Sequence, residues 1–295
     1  MKKQVLVVIL LVAGVAQSQP QGLRLTDKTG RVKLLGQSSM QQLKEDPFGE
    51  WFDKNYNEYE VNKNHIAGLL DLYGAFDSVT LFMGTWCGDS KREVPRFYKI
   101  LDQLKFDKQK VKLIAVDRTF QNYKQSPGRE EAGLNIHRVP TFIFHKDSLE
   151  TGRIVEKPRT TLEEDMQAII AGKGYLPNYE VVQALDHLFT HHVLEDIQAA
   201  KDSLAVVYKN KVANKYELNT YGLLLFSSFH IAEAHLVYRI NRLMFPDEPV
   251  THASLARLEA VLGHKESALE GYEKALALAP DDKNIKSSIA SLKGR

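Results

Sequence analysis

Cysteine is the scarcest resource of this chain: among 295 residues there is one, Cys87. A single thiol excludes an intrachain disulfide, so the core holds without covalent staples. Cys87 is then either an inert buried side chain or a thiol free to exchange with another molecule. No His-Glu-x-x-His motif is present, and His191-His192 would point its rings apart on a helix, so no metal is expected. A Gly-rich phosphate loop and a serine-nucleophile elbow are also missing, and no cofactor is expected. Neither sign of charge is in excess: 39 basic and 37 acidic residues leave a formal charge of +2. No Lys/Arg block suits nucleic acid or an anionic membrane.

Long apolar runs are absent except at the start. Lys2 and Lys3 precede an apolar stretch from Val5 to Ala16, followed by the small-x-small sequence Ala16-Gln17-Ser18. This pattern over residues 1–18 reads as a cleavable secretory signal peptide. Its apolar part is shorter than the ~20 residues a spanning helix needs. The expectation is an exported chain, periplasmic or secreted, with no stable membrane span once mature. The remaining length suggests two domains.

Residues 19–59 read as an N-terminal extension, its first part a polar, poorly ordered lead-in with at most a short strand. From Phe48 through Trp51, Phe52, Tyr56, Tyr59, Ile66 and Leu69, spacings of three and four predict one or two helices. Val79–Met83 is a short β-rich run, and the charged stretch from Gly88 to Leu104 has helical spacing with Pro95 inside it. Val111–Val116 predicts a strand, Glu130–Leu134 a short helix, and Thr141–His145 with Arg153–Val155 a hairpin. A helix over Thr161–Ala171 closes the unit, capped by Thr160 or Thr161. This order of strand, helix, strand, helix, hairpin and helix makes residues 60–175 an α/β domain. Gly172, Gly174 and Pro177 mark a linker. Residues 176–295 are helical throughout, and Ala234, Tyr238 and Pro246 recur 34 residues later as Ala268, Tyr272 and Pro280.

Two stretches carry chemistry. Thr85-Trp86-Cys87-Gly88-Asp89-Ser90-Lys91 sits between strand and helix, and Arg138-Val139-Pro140-Thr141 follows about fifty residues on. Together they resemble the thioredoxin superfamily, whose active site is Trp-Cys-x-x-(Cys/Ser) and whose Val/Ile-Pro-Thr loop faces it. The 34-residue period resembles the tetratricopeptide repeat, a helix–turn–helix unit. The resemblance implies an α/β thioredoxin-like fold, a central mixed sheet flanked by helices, with an all-α TPR-like region behind it. It also implies a cis Val139-Pro140 peptide beside the sulfur and peptide pairing along Val139. Two departures matter. Ser90 replaces the resolving cysteine, and Leu81 stands where the family carries a buried carboxylate.

A thiol at a helix start is favoured as thiolate by unpaired amides and the helix dipole. Lys91, one turn on, would add a stabilising charge, Ser90 would hydrogen-bond the sulfur, and Asp89 would oppose ionisation. For His137 and His145 two readings stand, a solvated ring, which is favoured, and an approach to the thiol. The expected site is therefore Cys87 and Ser90 for catalysis, Trp86, Val139 and Pro140 for substrate, and Lys91 for the thiolate. Its partner would be a protein client bearing a thiol or disulfide, with a second partner docking on the TPR-like helices. Without a resolving thiol, the remaining roles are isomerisation, thiol capping or client capture. The alternative is a non-catalytic scaffold that keeps the fold alone.

Overall fold

The computed structural model describes residues 21–27, 29–71, 74 and 76–294, so the expected leader lies outside the described residues. The chain opens with β1 (Leu23–Thr26), β2 (Val32–Ser38), α1 (Met40–Leu43), α2 (Gly49–Glu58) and α3 (Lys63–Asp71). Then come β3 (Ser78–Met83), α4 (Gly88–Gln103), β4 (Val111–Ala115), β5 (Thr141–Lys146), β6 (Leu149–Val155) and α5 (Leu162–Ile170). The sheet runs β1-β2-β4-β3-β5-β6, with β3 and β4 parallel and every other neighbour pair antiparallel. This is a mixed sheet flanked by helices.

Alternation along β3 decides what each face holds. Val79, Leu81 and Met83 join Leu113, Phe142 and Phe144 in one cluster with α2–α5, through Phe52, Ile66, Phe97 and Met166. Phe82 points the other way, with Ile114 and Ile143, onto Ile136 and Val139 of the β4–β5 connection. Successive strand residues face opposite sides, so a strand covered on both faces needs this unbroken apolar run. Pro95 is accommodated inside the continuous α4. Thr161 caps α5 by accepting from the Glu164 N–H at 3.2 Å.

Three expectations change. The lead-in is ordered: β2 pairs with β4 and buries Leu34 and Leu35. Gly36, at φ +83°, interrupts the apolar alternation of this strand and hides it from a pattern reading. Glu130–Leu134 forms turns, not a helix, because Arg129, Gly133 and Asn135 all take left-handed φ. Strand β6 starts earlier than Arg153 and faces β5 across a tight turn at Asp147-Ser148.

The rest is helical: α6 (Glu180–His191), α7 (Leu194–Ala199), α8 (Lys201–Tyr208), α9 (Lys215–Ser227), α10 (Ile231–Met244), α11 (Pro249–Val261), α12 (Lys265–Leu278) and α13 (Lys283–Lys293). Helix α9 packs on α10 and α11 on α12. The approach is close: a Cβ on Gly222 would fall 2.8 Å from the Tyr238 ring. The turns between the paired helices correspond, since Phe229 (φ 65°) takes the left-handed conformation of Gly263 (φ 82°). The helical region docks on the β4–β5 connection. Phe120 meets Phe226 at 5.0 Å between ring centroids, Ser227 Oγ donates to Tyr123 O, and Arg138 donates to Tyr216 O.

Candidate functional site

Cys87 is the N-cap residue of α4, with extended backbone (φ −93°, ψ 126°) that turns the chain from β3 into the helix. Its N–H donates to Gly84 O at 2.9 Å and its carbonyl accepts from Lys91 N–H at 3.0 Å, fixing the turn. The side chain is half-buried, packed against the Phe82–Ile143 cluster. Its Sγ donates to Val139 O at 3.2 Å, and the Val139–Pro140 peptide is cis. The structure thus brings Cys87 and Val139-Pro140 together across about fifty residues of chain. Val139 is 1 % exposed, so a chain pairing along it would first have to displace its neighbours.

Ser90 lies in the first turn of α4, 0 % exposed, and its hydroxyl accepts from Gly84 N–H at 3.2 Å. Its hydrogen bond is to the end of β3, not to the sulfur. Asp89 pairs with Arg92 at 2.6 Å, which offsets its expected opposition to a thiolate. Lys91 reaches toward Trp51, with Nζ 6.0 Å from the ring centroid. Trp86 folds back over Gly84, where a Cβ would come within 2.5 Å of the indole, and its Nε1–H donates to Val116 O at 2.9 Å. A residue with any side chain at position 84 would push this ring away.

Lys124 is the charged group that sequence reading missed. It is 5 % exposed, with Nζ 4.3 Å from the Trp86 ring centroid and 4.9 Å from that of Tyr123. Burial pushes its ammonium down to about 8, while the nearby Cys87 sulfur pulls it back up. The position is set by a backbone ladder: Lys124 N–H donates to Asp117 O and Asp117 N–H to Gln125 O. Asp117 itself is buried, but hydrogen bonds from Lys33 and the Arg118 N–H outweigh burial and hold its carboxyl below the usual carboxylate range. Only Lys124's left-handed φ of 59° and its two aromatic neighbours mark it out locally, and neither is legible from composition.

Replacing Lys124 by methionine separates its two effects. An aliphatic chain fits the aromatic sandwich without a buried charge, so stability at pH 7 is expected to rise by about 1–3 kcal/mol. The folded value of about 8 lies below the ~10.4 of an unfolded lysine. Between these values the unfolded chain binds the extra proton, so wild-type stability climbs with pH and the gap closes. Urea unfolding at pH 7 and pH 9.5 measures it. The same variant should alkylate more slowly at Cys87 at pH 7.

His137 departs from the solvated expectation: it is 3 % exposed and stands edge-on to Tyr179 and Tyr221 of the helical region. Its Nδ1 faces Asn135 O at 3.2 Å, and Nε2 has no partner among the described residues. Burial pushes its ring down to about 3, with Arg138 and Arg153 adding to the effect. His145 Nε2 pairs with Thr80 Oγ1 at 3.0 Å. Neither ring is placed on the sulfur. Comparison with protein-family models and with curated proteins gives no match. The chemistry therefore rests on geometry alone. Among the described residues no group of three or more His, Cys, Asp or Glu side chains could hold a metal ion. No helix among them is long and apolar enough to cross a membrane.

Proposed function

We propose that this chain performs thiol–disulfide exchange through Cys87 alone, as a monothiol thioredoxin-like domain. The observation that carries the reading is a half-buried N-cap thiol held 3.2 Å from the carbonyl of a cis X-Pro peptide. The N–H groups of Gly88, Asp89 and Ser90, which precede the first i→i−4 bond from Lys91 to Cys87, and the positive end of the dipole of the sixteen-residue α4 meet at that residue. Lys124 adds a cation beside it that ordinary solvent cannot screen. The Cys87 thiolate attacks one sulfur of a client disulfide. A Cys87–client disulfide forms, the client's own S–S bond breaks, and its departing thiolate takes a proton from water. Ser90 cannot reverse this, so release waits for the client's freed thiol or for another thiol. That sequence suits isomerisation or client capture, not net reduction. Export to an oxidising compartment, read from residues 1–18, fits the same role.

The helical region, which resembles tetratricopeptide repeats in its 34-residue spacing, is proposed to select the partner. A groove of about 480 Å³ between α9, α11, α12 and α13, lined by Tyr216, Arg257 and Tyr272, is the surface available for it. The exchange reading is tested by mixing the protein with a short peptide disulfide and weighing the intact products. The expected product is the protein plus one peptide half, reversed by dithiothreitol and missing in Cys87→Ala. An unmodified wild-type mass after prolonged incubation contradicts it.

A further inference from the structure

A cleft of about 380 Å³ opens directly beside the Cys87 motif. Its floor and walls come from the β1–β2 loop, the start of α2 and the motif itself. Pro47, Phe48, Trp51 and Trp86 supply the apolar surface, and Arg31, Lys33, Lys91 and Arg118 line it with positive charge against one carboxylate, Asp27. These charges are not equally committed. Lys33 pairs with Asp117, and Arg118 lies 3.7 Å from Asp27. Asp27 is turned into its own loop, accepting from the Thr29 and Arg31 N–H groups at 2.8 and 3.1 Å. Arg31 and Lys91 have no carboxylate partner among the described residues. A trough with aromatic walls and two cations that no carboxylate neutralises is complementary to an anion that carries an apolar body.

Its place relative to the sulfur says what that anion belongs to. Trp86 immediately precedes Cys87 and Lys91 follows one helical turn later, so the cleft flanks the thiol. On the opposite side the sulfur is turned to Val139 O, and Val139 and Pro140 are buried. Gly88, next to the thiol in the chain, is exposed, and a chain joined to Cys87 that passes it toward Trp86 and Lys91 meets the cleft those two residues line. We propose that the cleft is the docking site for the client segment next to its reactive cysteine, and that this segment is acidic with an aromatic residue. The proposal rests on the exchange reading for its biological sense, but its binding half stands apart from it. Selectivity then resides in the β1–β2 loop and α2, elements outside the strand–helix motif that holds the thiol.

The protein supplies its own reporter, because its two tryptophans are Trp51 and Trp86 and both line the cleft. Tryptophan emission of Cys87→Ser, titrated with the peptide Glu-Phe-Glu-Ser-Gly, is expected to shift saturably. The matching Lys-Phe-Lys-Ser-Gly should leave it unchanged. The shift should weaken as salt is raised from about 0.05 to 0.5 M, because exposed charge pairs are screened, and should be lost in Arg31→Glu. In the wild type, disulfides of the cysteine forms should react at Cys87 about tenfold or more faster for the acidic peptide. Equal emission changes for both peptides, or none for either, overturn the proposal. Saturable acidic binding with no adduct in the wild type upholds the cleft and overturns the exchange reading. Adducts formed at equal rates by both peptides uphold exchange and overturn the cleft.

Discussion

Ser90→Cys is expected to make transient the long-lived Cys87–client disulfide that the proposed exchange role implies. N-cap and third helical residues lie one turn apart, within the Cα separation of about 4.4–6.8 Å that a disulfide accepts. A thiol at position 90 would attack the Cys87 sulfur intramolecularly. The effective concentration of such a thiol far exceeds that of a dilute external thiol, so the adduct's lifetime should fall by roughly 100-fold or more. Release should leave an intrachain disulfide between positions 87 and 90, which the wild type cannot form. Leu81, 0 % exposed, offers no carboxylate to take the attacking thiol's proton. The release rate should therefore still increase with pH, as the new thiol ionises. Rapid quench with thiol blocking, read by intact mass, follows both species. An adduct equally durable in wild type and Ser90→Cys would show that Ser90 does not lie where a resolving group acts.

The second large effect is acid lability seated between the two halves. His137 is buried neutral among Tyr179, Tyr221 and Arg138, its ring pushed down to about 3. An unfolded histidine titrates near 6.5. Between these values the unfolded chain binds the proton and the folded chain refuses it. Stability is therefore intact above pH ~6.5 and is lost as pH falls toward 3, at up to about 1.4 kcal/mol per pH unit. By pH 4 the loss from this residue is expected to be about 3 kcal/mol. His137→Phe keeps an aromatic edge against both tyrosines and should remove that part of the pH dependence. Urea unfolding at pH 7 and pH 4 gives the comparison. Parallel losses in wild type and His137→Phe would show that the histidine does not drive the transition.

Much of the fold could be read from local pattern, and the misses share a cause. Val79–Met83, α4 and α5 carry strong periodicity or a cap, so strand, helix and hairpin could be placed in order. The β2 strand could not, because Gly36 breaks its alternation and its partner β4 lies about eighty residues away. Glu130–Leu134 has helix-compatible side chains, but three left-handed residues around it decide for turns. The same division holds at the site. Cys87, Trp86 and Ser90 sit on one contiguous motif and could be named together. Lys124 and His137 gain their character from burial under residues distant in sequence, Trp86 for one and Tyr179 with Tyr221 for the other. A lysine reads as a solvated charge until the tertiary fold covers it. Lys91 shows the converse: one turn from the sulfur on the helix, its ammonium is engaged with Trp51 in the basic cleft.

The proposed exchange role requires that folding activate Cys87 as a nucleophile. The direct measurement is the second-order rate of Cys87 with iodoacetamide at pH 7, in the folded protein and in the same protein unfolded in urea. The unfolded chain supplies the intrinsic rate of the same thiol, with no helix start and no Lys124 beside it. If the N-cap site and Lys124 favour the thiolate, the folded protein reacts about tenfold faster or more. A folded rate equal to or below the unfolded rate would contradict the account and leave Cys87 as packing in a scaffold.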